Sequence, residues 1–142
     1  MHILLVGEKI LLTLWVGGMW AIGYIVAPTL FSLLEKSVAG NVAGQLFTIM
    51  SYVGLVCGSL LLIGVVSRFG IEVSRYWVFW VLLVMILIIL ISQFVLQPMM
   101  AELKAVGISD LNRSEFGKLH GIASVLFLIN SLAGLALVVN QK

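Results

Sequence analysis

The sequence predicts an all-α integral membrane protein, a bundle of four helices spanning about 10–31, 42–66, 76–100 and 116–140. Three observations carry this. Of 142 residues, 62% are hydrophobic and only 10% charged, whereas soluble domains are roughly 45–50% apolar and about 25% charged. Four apolar stretches are each long enough to cross a hydrocarbon core of roughly 30 Å at about 1.5 Å per residue. The charged residues fall between those stretches. One transmembrane domain over 1–142 accounts for the chain, with no soluble domain and no evident internal repeat.

The stretch from Ile10 to Phe31 has no charge in 22 positions. It lacks a basic n-region and exceeds the roughly 7–15 residues of a signal-peptide core, so it reads as a spanning helix. Gly17, Gly18, Ala21, Gly23 and Ala27 are small, while Trp15, Trp20 and Tyr24 are large. Small residues three or four apart let another helix approach closely, which places this helix at the bundle centre. Pro28 bends or ends it. Just before it, Glu8 and Lys9 mark the membrane boundary, where Lys9 can snorkel. Glu8 reads as an interfacial neighbour of Lys9 or as a functional carboxylate just inside the apolar zone.

Ser32 to Gly44 is the expected first connection, containing Glu35 and Lys36 and the run A-G-N-V-A-G. The second helix carries Gly54-x-x-x-Gly58, a helix-packing signal in an apolar segment. Ser67 to Arg75 is a short link, which implies antiparallel neighbours. The third helix opens with Tyr76, Trp77, Phe79 and Trp80, an interfacial aromatic belt. Its Val81–Ile91 run is aliphatic, without glycine, and is expected to face lipid. Gln93, Gln97 and Pro98 follow, and a glutamine in hydrocarbon needs a partner. Gly107 breaks this helix, and Asp110 or Ser114 caps the next. The fourth helix contains His120, Asn130, Ser131 and Gly117-x-x-x-Gly121.

Four spans put both termini on one side, called end A; the opposite side is end B. Asn41, Gln45, Gln93, Gln97, Pro98 and His120 form the polar group at end B, with Met99 and Met100 nearby. His2 falls at end A, roughly 30 Å away, so the two histidines cannot share a haem. Lys9, Arg68, Arg75 and Lys142 at end A balance Lys36, Lys104, Arg113 and Lys118 at end B. The positive-inside rule therefore gives no orientation.

Function classes narrow by what the residues offer. The net charge of +2 is spread thinly, unlike the clustered Lys and Arg of a nucleic-acid binder. Cys57 is the only cysteine, so neither an intrachain disulfide nor a CxxC site exists. No P-loop, HExxH or GxSxG is present, and no span carries a charge at mid-depth, where ion-coupled transporters need one. No catalytic or metal residues are assigned. Gly17, Gly18, Gly23, Gly54, Gly58, Gly117 and Gly121 are the helix-packing candidates. The expected role is non-enzymatic: a bundle acting as an oligomer, a small subunit or a carrier component, with the bilayer as its environment and no cofactor. The alternative is a haem- or copper-binding redox protein with His120 as ligand and Met99 or Met100 as a soft second ligand. His120 also suits a bond to a nearby carbonyl or carboxylate, or a proton-responsive gate.

The run W-V-G-G-M-W-A-I-G-Y-I-V-A-P-T-L-F (Trp15 to Phe31) is one part of a wider pattern. The others are A-G-x-x-A-G-x-x-F (Ala39 to Phe47), Gln97-Pro98-Met99-Met100 and F-G-K-L-H-G-I-A-S (Phe116 to Ser124). Together they resemble the transmembrane-protein-205-like family of small four-helix membrane proteins, whose domain has no assigned function. The resemblance covers nearly the whole chain. The family's members are bacterial and eukaryotic. The resemblance implies fold and membrane location and marks Pro28, Phe31, Gly40, Gly44, Pro98, Phe116 and His120 as important; the expected location is the bacterial inner membrane. More distantly, Trp20-x-x-Gly23-x-x-x-x-Pro28-x-Leu30-Phe31 is similar to the bacterial haem-linked protoporphyrinogen oxidases and the copper-resistance D proteins. In the oxidases a haem-serving histidine precedes the tryptophan by about two turns. Thr13 stands there in this chain and cannot replace it.

Overall fold

The computed structural model describes the backbone of residues 2–141 and the side chains of residues 5–141. Expectations for Lys142 and for the His2 ring lie outside the described residues. The first span is α1 (His2–Ala21), a π-helical turn (Ile22–Val26) and α2 (Ala27–Leu33). The second is α3 (Lys36–Phe69), closed by a 3-10 turn (Gly70–Arg75). The third is α4 (Trp77–Ile91), a π-helical turn (Ser92–Leu96) and α5 (Gln97–Val106). The fourth is α6 (Arg113–Val139). Four stretches, Leu5–Leu33, Lys36–Arg75, Trp77–Val106 and Arg113–Val139, are long and apolar enough to cross a membrane. The protein is an integral membrane four-helix bundle.

Neighbouring spans run antiparallel. α1 packs on α3 and α6, and α4 packs on the same two helices. α1 and α4 therefore run in the same direction on opposite corners. The ends of α1 and α6 meet at end A.

Glycines of α3 and α6 set the spacing at the centre. Trp15, 1% exposed, belongs to the core cluster to which all four spans contribute. A Cβ added at Gly54 would sit 2.7 Å from both Trp15 Nε1 and Ile89 Cδ1. One at Gly58 would sit 3.0 Å from Ile86 Cγ1 and 3.2 Å from Trp15 Cη2. On the other wall, one at Gly134 would lie 2.9 Å from Val16 Cγ2 and 3.3 Å from Met85 Cε. In hydrocarbon, close van der Waals packing replaces the hydrophobic effect as the cohesive force between helices. Removing a Cβ at these points is what lets a tryptophan occupy the axis.

Each proline follows a π-helical turn. Ala27 N–H bonds Ile22 O, five residues back, immediately before Pro28. Gln97 N–H bonds Ser92 O in the same way, immediately before Pro98. A proline ring clashes with the carbonyl four residues earlier, and the wider turn relieves that clash while the helix continues. Pro28 thus displaces the helix without ending it, and the span runs on to Leu33. The two devices are 70 positions apart, since 98 − 28 = 70. Burial follows the offset in part: Leu12 and Leu82, Trp15 and Met85, Met19 and Ile89 are all buried, whereas buried Val16 and Ala27 correspond to half-buried Ile86 and Gln97. The element that repeats is the π-helical turn before a proline.

Three expectations change. The first connection is not Ser32–Gly44 but the pair Leu34 and Glu35, because α3 begins at Lys36. Ala39 and Ala43 are buried four residues apart on α3, so the A-G-N-V-A-G run is helix, packed where α2 and α3 adjoin. Phe31 lies over Gly40, where an added Cβ would be 4.0 Å from Phe31 Cζ. The aliphatic α4 is not wholly a lipid face: Leu82, Met85, Ile88 and Ile89 are core, while Leu83, Val84, Leu87 and Leu90 are exposed. Neither Asp110 nor Ser114 starts α6. Asn112 is its N-cap residue, and its side chain bonds back into the loop, from Nδ2 to Gly107 O and from Ser109 N–H to Oδ1. Gly107, at φ 96°, does end α5 as expected.

Candidate functional site

At end A the packed centre gives way to a chamber of about 190 Å³. Its floor is Leu12, Leu61, Val65, Leu82 and Leu137, one or more residues from each span. Its mouth carries Glu8, Lys9, Arg68, Trp77, Asn140 and Gln141. The volume is below the roughly 300–1,000 Å³ of a drug-sized pocket. It matches about six waters at roughly 30 Å³ each, or part of one acyl chain.

An ion pair closes one side. Arg68 Nη2 donates to Glu8 Oε1 at 2.6 Å and to Oε2 at 2.5 Å. The side chains are 38% and 23% exposed respectively, so the pair is half-wet. Glu8 reaches Arg68 by lying across α3 at Gly64, where a Cβ would overlap its Oε1. Arg68 also stands 5.9 Å from the Phe69 ring centroid, a cation–π distance. Among the described residues, Arg68 Nη1 and Nε have no hydrogen-bond partner, and Lys9 has no acidic partner.

A second polar group lies deeper, on α6. Trp20 Nε1 donates to Ser131 O at 3.0 Å, and Tyr24 Oη shares a 2.6 Å hydrogen bond with Ser131 Oγ. Ser131 Oγ also donates to Leu128 O at 2.8 Å. Rings continue the chain of contacts: Trp20 and Tyr24 centroids are 4.7 Å apart, Tyr24 and Phe127 5.7 Å, Phe47 and Phe127 5.2 Å. Phe127 also occupies the space a Cβ would need at Gly23. This is a structural fastening of α1 to α6. The adjacent Asn130 is 5% exposed, and its Oδ1 has no hydrogen-bond partner.

The end-B residues lie at the other end of the bundle. Asn41, Gln45, Pro98 and His120 are exposed, and Gln93 and Gln97 are half-buried. Among the described residues no side-chain hydrogen bond joins any two of them. His120 stacks parallel on Phe116, with centroids 6.3 Å apart. Met99 is exposed, while Met100 is buried with Leu96 and Leu119 in a small apolar cluster. Phe116 packs against the same cluster, so the ring on which His120 stacks also borders the cluster that buries Met100. Among the described residues, no three of His, Cys, Asp and Glu gather to hold a metal ion. Cys57 is buried in the core beside the glycines.

The packing glycines divide in two. Gly18 meets Met50, and Gly23, Gly54 and Gly58 meet the rings and aliphatic ends described above. A Cβ at Gly17, Gly117 or Gly121 would meet nothing within 4 Å. Gly64 and Gly134 have close neighbours and were not among the sequence candidates. The one signal for Gly134 is that it sits in L-A-G-L-A-L; Gly64 has no local signal.

The profile of a family described as a domain of unknown function, DUF4149, matches residues 10–109. The chain belongs to this family. The match runs from the first span through the Gly107 break, and it agrees with the resemblance carried by the Trp15–Phe31 and Gln97–Met100 motifs. Comparison with curated proteins and with solved structures gives no match. Membership in DUF4149 therefore comes with a four-helix membrane fold and without an assigned activity.

Proposed function

We propose that this DUF4149 protein is a non-enzymatic carrier component of the bacterial inner membrane, a single domain over 1–142 whose end-A chamber holds a small amphiphile. The observation that carries this reading is the chamber itself. All four spans contribute to it, its floor is apolar and its mouth is charged, which matches the apolar tail and polar head of an amphiphile. The hydroxyls support the non-enzymatic part. Ser51, Ser124 and Thr29 each donate to a carbonyl four residues back on their own helix, and Ser131 is engaged by Tyr24.

The test is native mass spectrometry of the protein released from its own membrane in mild detergent. Retention of an amphiphile by the wild type, lost in Val65→Phe where the ring fills the chamber, supports the reading. Identical occupancy in both proteins sinks it.

A second role, as a subunit of an oligomer, is favoured by a separate observation. Gly117 and Gly121 lie on the exposed side of α6, with Ile122 and Val125 beside them. Small residues four apart on a lipid-facing helix let a second helix approach closely, and a second copy would offer the same stripe in return.

A further inference from the structure

We infer that the end-A chamber takes a single-chain amphiphile with an anionic head, its head on Arg68 and its tail against Leu12, Leu61, Val65 and Leu82. The inference rests on the reading of the chamber as a ligand site and adds the charge and shape of the ligand.

Charge comes first. The mouth holds Lys9 and Arg68 against Glu8, one net positive charge among the described residues. Glu8 engages only one nitrogen of the Arg68 guanidinium. The Nε and Nη1 N–H groups are not engaged by Glu8, and each can donate singly to an anionic oxygen in a charge-assisted hydrogen bond. Glu8 lies over Gly64 and holds Nη2 with both of its oxygens, which keeps the guanidinium at the mouth. Position comes next. Trp77 is at the mouth, at the start of α4, with its side chain partly exposed. Tryptophan at this level is an interfacial anchor, so the anionic head sits at headgroup depth and the tail points into hydrocarbon. Size comes last. A chamber of about 190 Å³ has room for part of one tail, which favours a single-chain amphiphile.

The experiment uses the full chain in nanodiscs of zwitterionic lipid. Three sixteen-carbon probes carry a diazirine in the tail and differ only in the head: a carboxylate, a phosphate monoester or a neutral alcohol. Peptides containing Leu5–Leu12 and Leu61–Arg68 are scored for photolabelling. The anionic probes are expected to label about tenfold more than the alcohol, and the stronger of the two identifies the head. The preference is expected to vanish in the neutral triple variant Glu8→Gln, Lys9→Gln, Arg68→Gln, whose melting temperature in detergent checks that it is folded. Val65→Phe is expected to lose labelling by all three probes. Equal labelling by the alcohol and the anions in the wild type overturns the anionic head and leaves the chamber as a ligand site. No labelling of these peptides by any probe overturns the chamber reading and this inference with it.

Discussion

Gly64 lies directly beneath the Glu8 carboxylate, so the absence of one carbon on α3 decides where a charge on α1 rests. Substituting Gly64→Val displaces the end of a flexible side chain, and Glu8 leaves Arg68. A half-exposed ion pair contributes little, about 0–1 kcal/mol. The expected outcome is a melting temperature close to wild type together with altered labelling by anionic probes. Thermal unfolding in detergent checks the first half; a large loss of stability would show that the ion pair is a structural clamp.

Gly54 and Gly58 behave differently, because their neighbours cannot step aside. Trp15 is buried in the core cluster to which all four spans contribute. Overpacking a dense interior costs about 1–3 kcal/mol per site. Gly54→Leu with Gly58→Leu is expected to unfold or reorganise the bundle. Gly117→Leu with Gly121→Leu is expected to leave the fold intact and reduce oligomer size. Thermal melting together with size measurement in detergent separates the two pairs.

The Tyr24–Ser131 hydrogen bond fastens α1 to α6. Side-chain hydrogen bonds in membrane proteins couple by about 0.6 kcal/mol on average, with a maximum near 1.7. A double-mutant cycle with Tyr24→Phe and Ser131→Ala is expected to give a coupling in that range. Zero coupling would mean that the aromatic contacts of Trp20, Tyr24 and Phe127 hold the helices without it.

Asn130 presents the reverse situation. Its Oδ1 is buried without a partner, and an unsatisfied polar group costs about 1–3 kcal/mol. Asn130→Leu keeps the number and branching of side-chain heavy atoms while removing the unpaired amide, and is expected to raise stability by about 1 kcal/mol, read as a higher melting temperature. A lower one would show that the amide has a partner in the membrane, such as a bound water.

Much of this architecture was legible before any coordinates. Hydropathy locates spans because hydrocarbon demands unbroken apolar helix, and Gly54 and Gly58 announce themselves by their spacing. The misplaced first connection has a physical cause. Gly40, Asn41 and Gly44 read as breakers by soluble-protein habit, whereas Gly is frequent within membrane helices. The burial of Met85 and Ile88 could not be seen, because an all-apolar helix has no polar face to show which side is turned inward. The ion pair was out of reach for another reason: Glu8 and Arg68 are 60 positions apart, and only the register of α1 on α3 brings them together. A local reading paired Glu8 with Lys9 instead. The end-B polar residues share a depth, yet depth alone does not turn side chains toward one another.

The paired π-helical turns, each just before a proline on opposite corners of the bundle, describe a protein with two halves. One helical hairpin, α1 to α3, stands to the other, α4 to α6, as one subunit of a twofold dimer stands to its mate. The chain therefore contains within itself an arrangement that other assemblies reach by association. If two such chains meet along α6, the result is four hairpins in which each chain is already a pair. The twofold is broken at one place that matters: the Glu8–Arg68 fastening belongs to the first hairpin, and position 78, equivalent to Glu8 by the offset of 70, is Val78. The ion pair at the mouth is thus supplied by one half to a chamber that both halves line.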